Sequence, residues 1–339
     1  MDRIKIGIIG CGYWGPNLIR NFVELPTSEV VVVADLKKDR RDHIQNSYPQ
    51  IITTADYQDV FLHGVDAAVV ATPPPTHFPI AQDCLNHGLH VLVEKPLTLD
   101  SAQARQLTEL AREKSLTLMV GHTFEYNMAV HALKKLIGSG ELGQLYYLDA
   151  ARLSLGLFQK DLNVLWDLAP HDISILIYLL GKLPISVSSH GTACVFPNIH
   201  DVAYVDLAFP ENIMAHVHVS WLDPCKVRRV TVVGSQKMAV YNDIESLEKI
   251  KIYDKGVSVP HYTNSFAEFQ CSYRYGDVLI PNIKFTEPLR VECQHFLDCI
   301  TNGTPPCSGG EDGWQVVKVL EAAQRSLLNA GHQEVIEWQ

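Results

Sequence analysis

The sequence has few of the features that mark secreted, metal-binding or membrane proteins. Its eight cysteines include no CxxC pair, and no cysteine–histidine spacing is typical of a metal site. The apolar run at 173–180 is too short to cross a bilayer. The N-terminus has an acidic second residue and no small-residue cleavage site, so no signal peptide is expected. These absences predict a cytoplasmic protein with reduced thiols, no bound metal and no membrane partner.

Positive charge is also scarce. Lys and Arg total 28 against 38 Asp and Glu, which gives a formal net charge of −10. A net acidic surface repels phosphate backbones, so a nucleic-acid partner is not expected. Hydrophobic residues make up 47% and charged residues 19% of the 339 positions, as in a packed globular protein of two domains.

The two parts of the chain have different hydrophobic patterns. Residues 1–122 contain continuous aliphatic runs such as Ile4–Ile9 and Val30–Ala34, separated by helix-like segments. Such runs predict the parallel strands of a doubly wound Rossmann sheet, which binds a dinucleotide. Residues 123–339 contain alternating strands such as Val202–Phe209, which predict a mostly antiparallel open sheet with helices packed on it. The predicted fold class is therefore α/β, with an N-terminal Rossmann domain and a C-terminal α+β domain built on a mostly antiparallel sheet.

The first strand is followed directly by a GxGxxG motif. Gly10 permits the tight turn, Gly12 lets the backbone approach a pyrophosphate, and Gly15 lets helix and strand pack closely. Tyr13 and Trp14 occupy the variable positions beside them. Because the following helix would point its first N–H groups at the phosphates, these five residues are predicted to bind the cofactor.

Asp35 ends the second predicted strand, at the distance from the glycine turn where a carboxylate binds ribose hydroxyls. Such a carboxylate would repel a 2′-phosphate, so it favours NAD over NADP. Lys37 and Lys38 oppose this preference, and a surface aspartate without a ligand is the alternative interpretation.

Two further segments follow predicted strands at the same edge of the sheet. One is the proline-rich loop that follows residues 67–70, and the other is the Glu-Lys-Pro tripeptide after residues 90–93. Ligands of open α/β sheets bind outside the carboxyl ends of the strands. The alternatives are a loop that is rigid for packing alone and a solvated lysine. The candidate cofactor contacts here are Thr72, Pro73, His77, Glu94 and Lys95.

Asp167 and His171 lie four residues apart, around the start of a helix predicted at Pro170–Leu180. If the turn between them is helical, both side chains face the same way. From this segment alone, a capping aspartate and a core histidine remain the alternative.

In this order the motifs resemble the glucose–fructose oxidoreductase / inositol dehydrogenase / rhizopine catabolism family of NAD(P)-dependent oxidoreductases. The resemblance rests on the glycine turn, the loop Ala71–His77, Glu94-Lys95-Pro96, Gly121-His122 and the pair Asp167 and His171. It covers most of the chain but not the part beyond about residue 235. It implies Lys95 and His171 as the catalytic pair, with Asp167 supporting the substrate. It also implies an open sheet that mediates a homodimer or homotetramer.

The segments Gly12–Asn17 and Leu165–Asp172 look like the branch of this family that acts on nucleotide-activated sugars. That branch is similar to the UDP-N-acetylglucosamine and UDP-N-acetylglucosaminuronate 3-dehydrogenases, in which the sugar C3 hydroxyl meets the Lys/His pair. One departure is Glu125, where family members often carry Arg. The candidate substrate contacts are Lys95, Glu125, Tyr126, Asn127, Arg152, Asn163, Asp167 and His171.

Two other functions are compatible with the sequence. A free-sugar or inositol dehydrogenase would use the same catalytic residues in a pocket closed to nucleotides. A non-catalytic NAD-binding sensor would not need Lys95, Asp167 and His171, so their presence argues against it.

Overall fold

The computed structural model of the protein describes residues 3–258 and 271–338. The described residues form two compact units. The first comprises the residues up to Tyr126 together with Thr286–Glu321, and the second comprises Asn127–Phe285 together with the residues from Ala322 onward. Within the described residues, no helix combines the length and the apolar character that a membrane span requires.

The first unit contains a parallel sheet with helices between its strands, which confirms the predicted doubly wound domain. The strands are β1 (Ile4–Ile9), β2 (Ser28–Ala34), β3 (Ile52–Thr54), β4 (Ala67–Val70), β5 (His90–Glu94) and β6 (Leu118–Gly121). They are ordered β3-β2-β1-β4-β5-β6. The strand order reverses direction beside β1, so the carboxyl ends of β1 and β4 lie at the switch point where such sheets bind ligands. The helices between them are α1 (Gly15–Glu24), α2 (Lys38–Ser47), α3 (His77–Asn86) and α4 (Ser101–Glu113).

The first unit also includes a segment from near the end of the sequence. This segment contains α7 (Pro288–Asn302) and the residues of α8 (Gly310–Leu328) up to Glu321, both numbered in the order of the whole chain. Leu289, Phe296 and Leu297 of α7 are buried in the same core cluster as Phe22 of α1, and the two phenyl rings lie edge to face at 6.4 Å. A division of the chain after residue 122 does not anticipate this packing, because α7 lies about 270 positions after α1 in the sequence and yet buries its apolar face in the same core.

The second unit is built on a wide sheet. Its strands are β7 (Leu145–Leu153), β8 (Ser186–Thr192), β9 (Val202–Phe209), β10 (Ile213–Ser220), β11 (Val227–Gly234), β12 (Met238–Asn242), β13 (Ile250–Ser258), β14 (Ser272–Leu279) and β15 (Glu334–Val335). Among the described residues, every neighbouring pair is antiparallel except β7 with β10. The predicted mostly antiparallel sheet is therefore confirmed. Its helices are α5 (Met128–Gly138) and α6 (Val164–Leu180), and α6 packs on β7 and β10.

Helix α6 begins six residues earlier than the sequence pattern predicts. Asn163 caps it by accepting a hydrogen bond from the Trp166 N–H at 3.2 Å, and Pro170 lies inside the helix instead of at its start. Proline removes one helical hydrogen bond, so it normally favours a position in the first turn. Here the apolar residues on both sides of Pro170 are buried, and their packing outweighs that loss. As a result, Asp167 and His171 stand one turn apart on the same helix.

Candidate active site

The glycine turn after β1 has the shape that a dinucleotide site requires. Gly10 adopts φ +102°, and a Cβ atom on it would lie 2.6 Å from the Ala71 carbonyl oxygen. A Cβ atom on Gly15 would collide with the Gly10 carbonyl. Around Gly12, Nη1 of Arg40 at 3.7 Å is the one non-neighbouring atom of the described residues that lies within 4 Å of such a Cβ, so the backbone there can be approached closely. Trp14 makes no side-chain hydrogen bond to the start of α1. Because Pro16 has no N–H and the Asn17 N–H donates to the Trp14 carbonyl at 3.0 Å, the Gly15 N–H is the donor that the first turn of this helix can offer to a phosphate.

Asp35 lies beside this turn. Its carboxylate accepts hydrogen bonds from the backbone N–H groups of Cys11 at 2.6 Å and Lys37 at 2.8 Å, and Nη1 of Arg40 lies 3.3 Å away. Each carboxylate oxygen has two lone pairs, so the group retains capacity for ribose hydroxyls. The sequence places Lys37 and Lys38 near Asp35 but gives no sign of Arg40, because only the turn of α2 brings its guanidinium to the carboxylate. Tyr13 is largely exposed in the same region.

His77 is inside the fold, so the expectation that its side chain binds the cofactor is corrected. The ring is fully buried, with Nδ1 2.8 Å from the Pro96 carbonyl oxygen and Nε2 2.8 Å from that of Thr72. Burial lowers the pKa of His77, and a neutral ring donates to one of these two oxygens. His77 therefore links the loop after β4 to the loop after β5. Thr72 is half-buried and Pro73 is exposed on the first of these loops.

Glu94 and Lys95 lie at the carboxyl end of β5, and both are half-buried. Oε2 of Glu94 accepts a hydrogen bond from the Lys95 backbone N–H at 3.2 Å. A Cβ atom on Gly121, in the neighbouring strand, would lie 3.1 Å from Oε2. Glycine at this position therefore leaves room for the carboxyl group of Glu94. Burial raises the pKa of Glu94 from 4.5 to about 7, although the positive charge of Lys95 opposes the increase.

A second buried acid, Glu292 of α7, accompanies Glu94 in the first unit. Its Oε2 accepts a hydrogen bond from the Thr123 hydroxyl at 2.8 Å, and its side chain is 1% exposed. Burial and the negative charges of Glu94 and Glu125 raise its pKa well above the ordinary value. Neither ring nitrogen of the buried His122 has a partner among the described residues, and burial lowers the pKa of His122 to about 3. Nothing in the sequence near Lys95 indicated that Glu292 would join this group.

The raised pKa of Glu94 predicts how stability depends on pH. Between pH 4.5 and about 7 the folded protein retains a proton that the unfolded chain has released, so this group makes stability fall as pH rises through that window. Glu94→Gln removes the titrating group. The free energy of unfolding of the variant, compared with that of wild type, should therefore increase by up to roughly 3 kcal/mol from pH 5 to pH 8. Urea unfolding at both pH values measures the difference. The matched control is Glu109→Gln on the exposed face of α4, and parallel wild-type and Glu94→Gln profiles would contradict the assignment.

In the second unit, α6 presents Asp167 and His171 on one face, and both side chains are half-buried. Oδ2 of Asp167 accepts a hydrogen bond from the indole N–H of Trp221 at 2.9 Å. No local pattern could have revealed this contact, because 54 residues separate the two partners.

Tyr126 is a core residue, which corrects its predicted contact with substrate. Its side chain is 3% exposed and belongs to the core cluster of the first unit. Its hydroxyl lies 3.0 Å from the Ser308 hydroxyl. The neighbouring Glu125 is also buried.

Asn127 and Asn163 are helix caps, so their predicted substrate contacts are corrected as well. Oδ1 of Asn127 accepts from the Ala129 N–H at 2.9 Å at the start of α5, and its Nδ2 donates to the Tyr241 hydroxyl at 3.1 Å. Asn163 caps α6, and its Nδ2 donates to Gln324 at 2.8 Å. Because both ends of each amide are used within the fold, neither is retained as a substrate ligand.

Arg152 is neither a surface residue nor an open anion site. It is 5% exposed, and its Nε and Nη2 donate to Asp172 at 2.7 and 3.0 Å. An incoming phosphate or carboxylate would have to displace this buried carboxylate. The predicted role of Arg152 in holding an anionic substrate is therefore corrected to that of joining β7 to α6.

Two family models match the chain. Residues 4–122 match the GFO/IDH/MocA model, described as an oxidoreductase family with an NAD-binding Rossmann fold. Residues 130–240 match the GFO/IDH/MocA C-terminal domain. Together these matches cover the six-stranded sheet of the first unit and strands β7 to β11 of the second sheet.

Curated relatives of the chain include enzymes with two kinds of substrate. The UDP-N-acetylglucosamine 3-dehydrogenase of Acidithiobacillus ferrooxidans is 27% identical over 262 residues, which span 76% of this chain and 79% of that protein. The NAD(+)-dependent scyllo-inositol 2-dehydrogenase of Bacillus subtilis is 25% identical, over 96% of this chain and 95% of that protein. A solved structure of the A. ferrooxidans enzyme superposes with a TM-score of 0.78 at 24% identity, covering 96% of this chain and 98% of that one.

Proposed function

The chain belongs to the GFO/IDH/MocA family of NAD-binding oxidoreductases, and we propose that it oxidises a secondary alcohol of a sugar, with C3 of a UDP-sugar as the reacting carbon. The observation that carries the chemical part of this proposal is α6, which places Asp167 and His171 on one helical face. The choice of a UDP-sugar rests on the likeness to the UDP-N-acetylglucosamine 3-dehydrogenase.

Each side chain has a distinct task in the proposed reaction. Lys95 accepts the hydroxyl proton at Nζ, which makes the carbinol C–H easier to break. General base catalysis of this kind contributes roughly 10²–10⁴-fold. His171 hydrogen-bonds the same hydroxyl oxygen, and Asp167 supports the substrate beside it. When bound, NAD supplies the acceptor for the electron pair and hydrogen that the carbinol carbon loses.

The same proposal names NAD as the cofactor in preference to NADP. Asp35 presents a carboxylate beside the glycine turn, where the ribose of the dinucleotide binds in this fold. A 2′-phosphate would meet that negative charge, and like charges in close contact cost several kcal/mol. Arg40 partly neutralises the carboxylate, so we expect a preference for NAD⁺ of about tenfold or more in kcat/KM.

A substrate panel tests the proposal. The enzyme is supplied with NAD⁺ or NADP⁺ and with UDP-N-acetylglucosamine, UDP-N-acetylglucosaminuronate, glucose, myo-inositol or scyllo-inositol, and NADH or NADPH formation is followed. In a parallel set of reactions, 2-oxoglutarate is added as the hydride acceptor for NADH that stays bound, and the ketone product is measured there because NADH does not accumulate. We expect turnover of a UDP-sugar with NAD⁺.

Each other outcome of the panel selects a different function. Faster turnover of an inositol or of glucose would replace the UDP-sugar proposal with the free-sugar one, which the relative from B. subtilis favours. Protein that binds NAD⁺ and oxidises no alcohol would instead act as a sensor.

We also propose that the enzyme is a homodimer or homotetramer. The face of the wide sheet opposite its buried side chains carries large residues such as Tyr147, Tyr204 and Met214, each more than 40% exposed. Exposed apolar and aromatic groups on a flat sheet are typical of a surface that is covered by another copy.

A further inference from the structure

The indole N–H of Trp221 donates a hydrogen bond to the carboxylate of Asp167. Trp221 directly follows β10 and is 1% exposed, whereas Asp167 on α6 is half-buried. The distance of 2.9 Å between Nε1 of Trp221 and Oδ2 of Asp167 is typical of an N–H···O hydrogen bond. Hydrogen bonds to ionisable carboxyl groups are among the stronger ones in proteins, and an indole N–H can only donate.

The position of this indole is itself fixed from several sides. The Trp221 backbone N–H donates to the Asp201 carbonyl, and the Trp221 carbonyl accepts from the Gly156 N–H, both at 2.9 Å. The Phe158 ring packs against the indole at 5.6 Å. A Cβ atom on Gly156 would lie 3.0 Å from Cδ1 of Trp221, so the indole fills the space beside that glycine. The donor therefore has little freedom to follow Asp167 if the carboxylate rotates.

Asp201, whose carbonyl accepts a hydrogen bond from the Trp221 N–H, is itself held in place by hydrogen bonds. It is fully buried, and its Oδ2 accepts hydrogen bonds from the backbone N–H groups of Cys194 at 2.9 Å and Val195 at 2.8 Å. The loop that follows β8 is thus tied to the residue whose carbonyl holds Trp221. Such backbone contacts orient a donor independently of any ligand.

We infer that Trp221 is a positioning residue, which holds one oxygen of Asp167 so that the carboxylate is already oriented when the substrate alcohol binds. The inference rests on the proposed function, since it requires Asp167 to support the substrate. Trp221 itself acts through Asp167 and contacts no reacting atom. Fixing a catalytic group before the substrate arrives lowers the entropy that the reaction step must lose.

The test is a double-mutant cycle with NAD⁺ and the alcohol that the panel identifies. Trp221→Phe retains an aromatic ring and removes the N–H, and it should lower kcat about 10- to 100-fold, since small misplacements cost up to that amount. The KM for NAD⁺ should stay near the wild-type value. In the Asp167→Ala background, the same substitution should change kcat by less than about twofold, because the group on which Trp221 acts is gone. Phe158→Leu is the control that disturbs the ring packing and keeps the N–H.

Each result supports or overturns the inference. An equal factor for Trp221→Phe in both backgrounds, or wild-type kcat in the single variant, would overturn it. Wild-type turnover by the Asp167→Ala single variant would show that Asp167 does not support the substrate. That result contradicts the proposed role of Asp167 and is distinct from the results that contradict only the role of Trp221. If Trp221→Phe does not fold, a benzothiophene analogue of tryptophan at position 221 keeps the ring size and lacks only the donor. Full activity of the protein with that analogue would likewise overturn the inference.

Discussion

Lys95→Met is expected to lower kcat by about 10²- to 10⁴-fold, while the affinity for NAD⁺ stays close to that of wild type. Lys95 follows β5 and is half-buried at the edge of the sheet where ligands bind in this fold. Methionine keeps the apolar stem of the side chain and removes only the amine that accepts the alcohol proton. The glycine turn and Asp35, which bind the dinucleotide in the proposal, are unchanged.

Steady-state kinetics with the alcohol from the substrate panel, together with calorimetric titration of NAD⁺, measure the two effects separately. The matched control is Lys114→Met, which removes an exposed amine after α4 in the same unit and should leave both quantities unchanged. Turnover by Lys95→Met at the wild-type rate would show that another group takes the proton.

Arg152→Leu is expected to destabilise the protein by about 3–5 kcal/mol, because it leaves Asp172 buried without its cation. The two side chains are 6% and 3% exposed and form a bidentate pair. Replacing both with apolar residues, in Arg152→Met/Asp172→Leu, should recover most of that loss, since the pair must be desolvated to form. Urea unfolding of the single and double variants measures the free energies.

This experiment also decides between the structural role and the role predicted from the sequence. A residue that holds an anionic substrate would, when replaced, raise the KM for that substrate and leave the unfolding midpoint unchanged. Arg229→Leu, an exposed arginine on the adjacent strand β11, is the control and should change stability little. An Arg152→Leu variant with wild-type stability and a raised KM for the sugar substrate would support the prediction that Arg152 holds an anionic substrate.

Local patterns predicted the elements that lie within a single stretch of sequence. The aliphatic run Ile4–Ile9 forms β1 with the predicted bounds, and Val202–Phe209 forms β9. The sequence pattern predicts that α6 starts at Pro170, and this prediction is wrong, because the helix starts at Val164 after its cap Asn163. In that case packing of the apolar residues outweighed the local preference of proline.

The candidate site was less predictable than the fold. Asn127 and Asn163 are polar residues beside motifs, a pattern that is shared by ligand contacts and by helix caps. Only the hydrogen bonds in the structure identify them as caps. Tyr126 and Arg152 were misassigned for a similar reason, since a sequence shows that a side chain is polar or large without showing whether it is buried.

The amino-acid sequence alone determined the strand–turn–helix that suits a dinucleotide and the order of motifs that Lys95, Asp167 and His171 complete. These features depend on backbone preferences and spacings of a few residues, which act before any tertiary contact forms. Tertiary structure decided which polar groups are consumed by the fold and which partners meet: Arg152 with Asp172, Glu292 beside Glu94, and Trp221 at Asp167. Those pairings join residues 20 to 198 positions apart, and burial in the packed interior, which no local pattern encodes, sets their energies.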